Sequence, residues 1–342
     1  MTFPDRCKTL EVWLTEMADA PNLVIIVPCL DEELMLPETA DVLERVLGRL
    51  VLGGAVSDDS RILFVDDGST DGTWQQIRQL HRDQQRVEAI RLATNRGQQI
   101  AMLAGYEHTV DRFDLFLTMD ADLEDDPAAI PAMVSAALDG SELVLATRRS
   151  RDRDSLAKRV SALAFYRLAR ALGVPVERNQ ADFRLMSRRV VRRLLEHNER
   201  EIFLRSAVLS LTRSVTRVEV DRGRRSRGAS KYSVHRMFRL ALNGIFSYSV
   251  APLRLVSTLG AALGLLSAPV VGYLLVSAAL GSTVQGWLSL IASLYLLAGL
   301  ILFSLGIVGE YVARLMIEVK GRPRYAVDEV LVEPASLEET GE

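Results

Sequence analysis

Two aspartates separated by one residue, Asp120 and Asp122, are the strongest chemical signal in the sequence. They follow residues 115–119, an apolar run with the length of a buried strand. Carboxylates two residues apart at a turn can converge on one hard divalent cation, and Glu124 can add a third oxygen ligand. Such a cation would bridge a diphosphate and neutralise it as a leaving group. The spacing therefore predicts that Asp120, Asp122 and Glu124 bind Mg²⁺ or Mn²⁺.

A second acidic pair, Asp66 and Asp67, ends another apolar run and begins the loop 66–73. One interpretation is structural: Asp and Ser side chains cap the helix that follows the loop. The other is functional: a carboxylate accepts a hydrogen bond from a nucleotide base or ribose. Both can hold at once. The loop matches neither the P-loop nor the G-x-G-x-x-G sequence, so neither a mononucleotide kinase nor a dinucleotide-binding fold is indicated.

Basic residues are concentrated between residues 222 and 231, in the sequence RGRRSRGASK. A run this basic is often a solvated loop or a membrane contact. Gly223 and Gly228 also allow the backbone to fold over a ligand, and Arg225 and Lys231 would then bind its phosphates. The segment precedes a long apolar region, where a lipid with an anionic head would lie.

Asp182 lies between two apolar stretches, and its surroundings are equally compatible with a helix cap and with a catalytic base. The four histidines, at positions 81, 108, 197 and 235, do not have the spacing of metal ligands. We interpret all four as structural or exposed.

The hydrophobic pattern predicts the elements that position these residues. Strand-length apolar runs and helical patterns alternate at residues 23–27, 37–52, 61–65, 74–81, 87–92, 98–108, 115–119, 127–138 and 143–146. This alternation predicts an α/β fold with a mostly parallel sheet covered by helices on both faces. Ligands of such sheets bind outside the carboxyl ends of the strands. Polar clusters fall at those ends and support a binding crevice, at residues 28–32, 66–67, 95 and 120–122.

Composition limits the class of protein. The 342 residues carry a formal net charge of −3, which gives no indication of a nucleic-acid partner, and none is predicted. The two cysteines, Cys7 and Cys29, are too few for a disulfide framework, and Cys29 is expected to be a small buried thiol. Residues 1–20 contain six charged side chains and no apolar run, so no signal peptide is indicated. These features fit a reducing cytoplasmic compartment.

Two long apolar segments, residues 255–280 and 287–309, contain no charged residue. Each exceeds the roughly 20 residues that cross a bilayer as a helix, and the short uncharged connector favours an antiparallel hairpin. Lys and Arg flank the pair but are missing from the connector, so the positive-inside rule places both ends in the cytoplasm. The alternative is a buried helical hairpin in a soluble core. The sequence predicts two transmembrane helices after a juxtamembrane amphipathic helix at residues 231–254.

Taken in order, the motifs resemble glycosyltransferases of family 2 with a GT-A fold, a Rossmann-like arrangement. In particular they resemble the bacterial polyprenyl-phosphate branch, related to dolichol-phosphate mannose synthase. The similarity covers about residues 22–330. It is carried by Val27-Pro28 with Asp31-Glu32-Glu33, residues 65–73, Asn95-Arg96-Gly97-Gln98, Asp120-Ala121-Asp122-Leu123, Ala181-Asp182-Phe183-Arg184 and Gly228-Ala229-Ser230-Lys231-Tyr232. The tail adds Pro252-Leu253-Arg254-Leu255, Gly309-Glu310-Tyr311-Val312 and Arg322-Pro323-Arg324-Tyr325.

The resemblance implies roles for matching positions. Those expected to contact the nucleotide sugar are Pro28, Glu32, Asp67, Asp120, Ala121 and Arg148. Those expected to hold phosphates of donor or acceptor are Arg184, Arg225 and Lys231. Asp182 is implied as the catalytic residue, acting as a base or orienting the acceptor. Relatives often carry Gln where this chain has Glu124, and the extra negative charge is expected to tighten cation binding.

The implied reaction is inverting transfer of one sugar from a nucleotide diphosphate, with uridine favoured over guanosine, to a polyprenyl phosphate of the undecaprenyl type. The product would serve envelope glycan or lipid modification. The expected location is the bacterial cytoplasmic membrane, with two spans and with the catalytic domain and both termini cytoplasmic. The expected partners are the donor, the lipid acceptor, the membrane and further copies of the chain in a homotetramer.

The predicted organisation has five parts: an N-terminal extension (1–21), a GT-A catalytic domain (22–230), an interface helix (231–254), two transmembrane helices (255–315) and a cytoplasmic tail (316–342). Three alternative functions stay open. A processive polysaccharide synthase shares the front domain, but it usually needs more spans, and its Gln-x-x-Arg-Trp signature is absent. The others are a non-catalytic membrane scaffold that binds nucleotide sugars and a subunit of a transporter or flippase.

Overall fold

The computed structural model describes residues 20–148, 180–197, 204–220 and 286–332, together with isolated positions between 253 and 280. These residues fall into two compact units. The larger unit contains the described residues up to 220 and those from 323 onwards. The second unit contains residues 286–322 and the isolated positions. Of the predicted parts, most of the N-terminal extension and the juxtamembrane helix, except position 253, lie outside the described residues.

Within the described residues, eight strands form one mixed sheet in the order β7-β5-β6-β4-β1-β2-β3-β8. The strands are β1 (Leu23–Cys29), β2 (Arg61–Asp66), β3 (Val87–Leu92), β4 (Leu115–Thr118), β5 (Leu143–Arg148), β6 (Gln180–Ser187), β7 (Val215–Val220) and β8 (Val327–Leu331). β1 pairs in parallel with β2 and with β4, β2 pairs in parallel with β3, and β5 pairs in parallel with β7. β6 runs antiparallel to β4 and β5, and β8 runs antiparallel to β3.

The helices described are α1 (Leu36–Leu52), α2 (Thr73–Asp83), α3 (Gln98–Thr109), α4 (Ile130–Leu138), α5 (Arg188–Leu195), α6 (Leu204–Leu211) and α7 (Trp287–Val319). A 3₁₀ turn, Pro127–Ala129, leads into α4. The predicted α/β fold is therefore confirmed. The predicted strands and helices up to residue 148 are all present, and their ends differ by at most three residues from those expected.

β1 shows why the apolar runs become central strands. Its residues Leu23, Val24, Ile25, Ile26 and Val27 are fully buried, because helices cover both faces of the sheet. Alternate side chains point to opposite faces. One set packs with α1, α2 and α4, and the other packs with α3. This two-sided core holds the carboxyl end of β1 at a fixed place beside its neighbours.

β6 departs from the parallel pattern and sets the position of Asp182. The strand lies between β4 and β5 and runs antiparallel to both. Thr118 of β4 pairs with Arg184 of β6, so the register places Asp182 level with Asp120 just beyond the end of β4. Two acidic residues that are 62 positions apart in the chain therefore meet at one edge of the sheet.

The C-terminal segment does more than the sequence predicts. The sequence indicates a tail at residues 316–342, whereas Val327–Leu331 forms β8 and pairs with β3. The Glu329 carboxylate accepts hydrogen bonds from the Trp74 indole (3.1 Å) and from Arg78 on the same helix. Pairing with β8 leaves β3 without an open edge, and open edges promote aggregation.

The second predicted apolar segment lies within α7, which continues beyond residue 309 to Val319. Along the part of the chain that the structure describes, no helix has both the length and the apolar character needed to cross a bilayer. Only isolated positions of the first apolar segment, 255–280, are described. The predicted two-helix transmembrane hairpin is therefore not confirmed.

Candidate active site at the carboxyl ends of the strands

The loops that follow β1 and β2 are joined by reciprocal hydrogen bonds. The backbone N–H of Asp31 donates to Ser69 Oγ (3.0 Å), and Asp31 Oδ1 accepts the backbone N–H of Thr70 (2.9 Å). Glu33 Oε2 accepts the backbone N–H of Gly72 (3.1 Å). Asp31 adopts a positive φ of 54°, which Asp tolerates better than most residues. These contacts fix the backbone around Glu32, a predicted nucleoside contact.

Asp67 has a structural role that the sequence only partly indicates. Its Oδ1 and Oδ2 accept the backbone N–H groups of Arg96 and Gly97, each at 2.7 Å. Burial raises the pKa of Asp67, although both hydrogen bonds favour its ionised form. The carboxylate thus holds the loop that begins α3. Each oxygen has a second lone pair, so the predicted contact with a nucleoside stays a prediction.

Asp66 is also buried, and its Oδ1 accepts the backbone N–H of Ser69 at 3.0 Å. This is the local turn that the structural interpretation of the loop predicts. Arg91 Nε lies 3.4 Å from Asp66 Oδ2. Burial raises the pKa of Asp66, and Arg91 opposes that rise.

The thiol of Cys29 is influenced by carboxylates from three different strands. Its thiol is buried, as expected, and burial raises its pKa well above the ordinary value. The charges of Asp66, Glu32 and Asp120 raise it further. Carboxylates from the ends of β1, β2 and β4 therefore act on one buried thiol, and the predicted crevice stays a prediction. Pro28 lies on β1 opposite Val65, at the same edge.

Several acidic side chains act on Asp120 at the end of β4. Burial raises the pKa of Asp120 to about 7, and the charges of Asp182, Asp122 and Asp125 raise it as well. Arg205 acts in the opposite direction. Gln98, at the start of α3, donates a hydrogen bond to Asp120 Oδ1. A carboxyl group whose pKa is raised by neighbouring carboxylates favours binding of a cation.

The turn after Asp120 is fixed by a hydrogen bond from α1 and by another inside the turn. Ala121 is buried, and its carbonyl accepts a hydrogen bond from Thr39 Oγ1 (2.7 Å) on α1. Asp122 Oδ1 accepts the backbone N–H of Glu124 (3.0 Å). Leu123 between them has a positive φ of 52°, a strained conformation for a branched side chain. The backbone geometry of this turn is therefore imposed by its contacts.

The predicted metal ligands are not preassembled into a closed cage. Among the described residues, no group of three His, Cys, Asp or Glu side chains converges with metal-ligating geometry. Asp120, Asp122 and Glu124 nevertheless lie on one short turn with excess negative charge. Mg²⁺ is commonly held by one or two carboxylates together with substrate phosphates, and the residues present fit that mode of binding.

Asp182 forms a bidentate ion pair with Arg205 of α6. Arg205 Nε lies 2.8 Å from Asp182 Oδ1, and Arg205 Nη2 lies 2.6 Å from Asp182 Oδ2. Arg184 Nη2 lies 3.3 Å from Asp182 Oδ1. The Arg184 side chain is fully buried, so it contacts Asp182 from the interior of the protein and not from the surface. A role for Arg184 in binding acceptor phosphate stays a prediction.

The side chains of three predicted residues lie outside the described part of the structure. Arg148 ends β5, where its backbone pairs with Val220, and its side chain is not described. Arg225 and Lys231 lie outside the described residues. Sequence analysis did not identify two side chains that contact these acids: Gln98, which bonds to Asp120, and Arg205, which pairs with Asp182. Gln98 belongs to a quoted motif and could have been found there, whereas Arg205 has no local motif.

Comparison with known proteins gives three findings. The model of the family described as "Glycosyl transferase family 2" matches residues 24–195. YkoT of Bacillus subtilis strain 168, an uncharacterized glycosyltransferase, is 42% identical over 308 residues, which cover 90% of this chain and 91% of YkoT. The bactoprenol glucosyl transferase of Shigella phage SfX is 34% identical over 268 residues, covering 78% of this chain and 87% of that protein.

Among solved structures, glucosyl-3-phosphoglycerate synthase from Mycobacterium tuberculosis resembles the chain with a TM-score of 0.43 and 19% identity. The similarity covers 73% of this chain and 86% of that one. That protein was crystallised with Mn²⁺, uridine diphosphate and glucosyl-3-phosphoglycerate.

Proposed function

Because the chain belongs to glycosyl transferase family 2, we propose that this glycosyltransferase moves one sugar from a nucleotide diphosphate to a polyprenyl phosphate. The acceptor is proposed from the relatives, since the bactoprenol glucosyl transferase of phage SfX aligns with 78% of the chain. We propose a uridine diphosphate donor. The lipid-linked monosaccharide would then serve modification of envelope glycans or lipids.

The observation that carries the proposal is the acidic cluster at the end of β4. Burial raises the pKa of Asp120 to about 7 there, and the charges of Asp182, Asp122 and Asp125 raise it further. When Asp120 is ionised, a bound divalent cation relieves the repulsion between it and its neighbours. A nucleotide diphosphate brings such a cation, and it binds at the strand ends of α/β sheets.

Asp120 and Asp122 are the proposed ligands of a Mg²⁺ or Mn²⁺ ion, with Glu124 as a third. When bound, the ion neutralises the charge that develops on the departing diphosphate. Gln98 keeps Asp120 oriented through its hydrogen bond, and the Thr39 contact keeps the turn in place. The protein contributes chiefly by positioning charges before the reaction begins.

The acceptor needs little help in becoming a nucleophile. A phosphate monoester has a second pKa of about 6, so it is mostly dianionic at pH 7. Its oxygen can attack the anomeric carbon in line as the nucleotide diphosphate leaves, which inverts the configuration. Asp182, already bound to Arg205, is better suited to orienting groups than to removing a proton.

A lipid acceptor requires access to a membrane, and we propose that the C-terminal apolar region supplies it at the bacterial cytoplasmic membrane. α7 exposes large apolar side chains in the single chain, including Leu302 (68% exposed) and Phe303 (64%). Exposed apolar surfaces of this kind mark membrane or protein contacts. The basic residues 222–231 would attract an anionic lipid head group. We propose a homotetramer as the assembled form.

A transfer assay tests the proposal. Purified protein is incubated with Mg²⁺ or Mn²⁺, undecaprenyl phosphate and a panel of radiolabelled nucleotide sugars. We expect label to pass into the organic phase for one donor and to stay in the aqueous phase when excess EDTA is present. Label that never reaches the lipid, although the donor binds, would support the scaffold alternative. Label in an insoluble polymer would support a processive synthase.

A further inference from the structure

We propose that Arg205 binds a phosphate group of a substrate during transfer and that Asp182 is the positioning residue that holds it. This inference rests on the proposed function. Arg205 lies outside every motif in the sequence, and its place in the site follows from its contacts in the folded chain.

The ion pair with Asp182 holds the Arg205 guanidinium in a fixed orientation. Both oxygens of Asp182 face Arg205, at 2.8 Å from Nε and 2.6 Å from Nη2. Side-on bidentate pairing fixes the plane of a guanidinium as well as its position. The side chain of Asp182 is 15% exposed, whereas that of Arg205 is 40% exposed. The carboxylate therefore lies inside, and the cation faces outwards.

A second cation lies behind the pair. Arg184 is fully buried, and its Nη2 lies 3.3 Å from Asp182 Oδ1. Its Nε and Nη1 have no hydrogen-bond partner among the described residues. A carboxylate between two guanidinium groups is stabilised in its ionised form and is a poor proton acceptor. Positioning of a neighbour explains this arrangement better than general-base catalysis does.

The first turn of α3 places Arg205 at the acidic edge. Gln98 donates to Asp120, and the next residue, Gln99, accepts the backbone N–H of Leu204 through Oε1 at 3.3 Å. α6 thus begins at the same turn that orients Asp120. Leu204 is buried in the core, which fixes the direction of the helix. Gln98 and Gln99 therefore connect Asp120, a proposed metal ligand, with the helix that carries Arg205.

A fixed, half-exposed guanidinium beside a site for phosphates is suited to bind one of them through paired N–H donors. Two phosphates meet at the site in the proposed reaction: the diphosphate of the donor and the monoester of the acceptor. Both present the same chemistry to Arg205. The experiment separates them by measuring the two substrates independently.

The first test is a double-mutant cycle on transfer activity with Asp182→Asn, Arg205→Ala and the double variant. If Asp182 acts through Arg205, each single change lowers kcat/KM about a hundredfold, the usual scale for a positioned catalytic group. The double variant then falls little further, since coupled residues are not additive. A double variant reduced by the product of the two losses would mean that Asp182 acts independently, and it would overturn the proposal.

The second test separates a chemical role from a structural one. Added guanidinium is expected to restore part of the activity of Arg205→Ala, and Arg205→Lys is expected to keep part of it. Arg193 is the matched control, because its Nη1 holds the other end of α6 through the Leu211 carbonyl at 2.9 Å. An Arg193→Ala variant that loses as much activity and also responds to guanidinium would contradict a specific role for Arg205.

The third test identifies the phosphate by calorimetry of UDP binding with Mn²⁺ and by the KM for undecaprenyl phosphate. Weaker UDP binding by Arg205→Ala assigns Arg205 to the donor, and a higher acceptor KM with unchanged UDP binding assigns it to the acceptor. If both stay unchanged in a variant that keeps its Tm, the proposal fails. Wild-type protein that transfers no sugar would refute the proposed function instead, while the UDP measurement would still test Arg205.

Discussion

At the residue scale, the carboxyl group of Asp120 lowers the stability of the fold at neutral pH, although the proposed function needs it ionised. Its pKa is raised to about 7 from 3.8 by burial and by neighbouring carboxylates. A group whose native pKa is raised favours the folded state most at pH values below its unfolded pKa. That contribution is lost as pH rises through about 7, because the native state must then hold a buried charge. Without a cation, the contribution of Asp120 to stability should therefore fall between about pH 4 and pH 7.

Replacing Asp120 with Asn tests this account of the acidic cluster. In EDTA at pH 8, Asp120→Asn should raise Tm, by about 2–4 °C for each kcal/mol of repulsion relieved. At pH 4 the difference from wild type should largely disappear. Transfer activity should be lost at every pH. Differential scanning calorimetry across this range measures the effect. A lower Tm for the variant at pH 8 would mean that the cluster is already compensated.

Asp122 offers a test of the cation. Asp122→Ala should keep the fold and lose transfer, because the proposed ion loses a ligand. Asp126→Asn is a matched control, since Asp126 accepts the Ala128 N–H at the start of the 3₁₀ turn and Asn preserves that contact. Its activity should be close to that of wild type. Full activity of Asp122→Ala in excess EDTA would remove the metal from the mechanism.

Local sequence pointed to Asp120 and Asp122 but not to the side chains that contact the acidic residues. Asp120 and Asp122 were evident because a paired acidic turn ends an apolar strand. Arg205 could not be found in this way, because its pairing with Asp182 depends on how α6 packs beside β6. Asp67 shows a second gap: both of its oxygens accept N–H groups at the start of α3, a contact that its motif does not indicate, while its predicted nucleoside contact stays a prediction.

At the scale of elements, Gly68 joins two loops of the site. Its φ is +70°, and a Cβ there would lie 2.8 Å from the backbone of Thr94 and Asn95. Gly68→Ala should therefore destabilise the protein by about 1–3 kcal/mol and weaken donor binding. Gly48 within α1 is the matched control, since a Cβ there meets nothing within 4 Å.

Gly48→Ala should instead stabilise the helix by about 0.5–1 kcal/mol. Urea denaturation of both variants measures the two effects. Equal effects of the same sign would show that the close approach of the two loops is unimportant.

β8 should matter to the sheet through Glu329. Arg78 holds the pKa of Glu329 below its usual value by a hydrogen bond. A depressed carboxyl pKa stabilises the fold above the unfolded pKa of about 4.5, and this contribution is lost as pH falls through the lower native value. Glu329→Ala should lower Tm by a degree or two at pH 7 and much less at pH 3, since exposed pairs contribute little.

Asp328→Ala is the control for that comparison. Asp328 lies on the same strand, and its pair with Arg91 is longer, at 3.6 Å. Thermal melts of both variants at the two pH values measure the difference. An equal loss of Tm in the two variants at pH 7 would indicate that Glu329 has no special role.

Periodicity predicted the elements but not all of their neighbours. The alternating apolar runs determine β1 to β5 and the helices between them, because burial on both faces requires continuous apolar strands. The antiparallel insertion of β6 and the return of β8 to β3 depend on pairing between distant segments. Residues 327–331 are short and partly charged, and no local pattern marks them as a strand.

At the scale of the whole molecule, the sheet unit and the apolar C-terminal region explain why a sugar transferase would use a lipid. The proposed donor site lies at the strand ends of a compact α/β unit, and the chain then continues into apolar residues. Relatives that align with most of the chain include the bactoprenol glucosyl transferase of phage SfX. Under the proposed function, the product is a single sugar on a lipid phosphate.

The mass of the lipid product tests this central claim most directly. Purified protein, undecaprenyl phosphate, Mn²⁺ and the donor identified by the transfer assay are incubated, and the extracted lipid is weighed by mass spectrometry. We predict an increase equal to one sugar residue, absent from Asp122→Ala. A ladder of repeating increments, or an unchanged lipid beside consumed donor, would contradict transfer of one sugar to a polyprenyl phosphate.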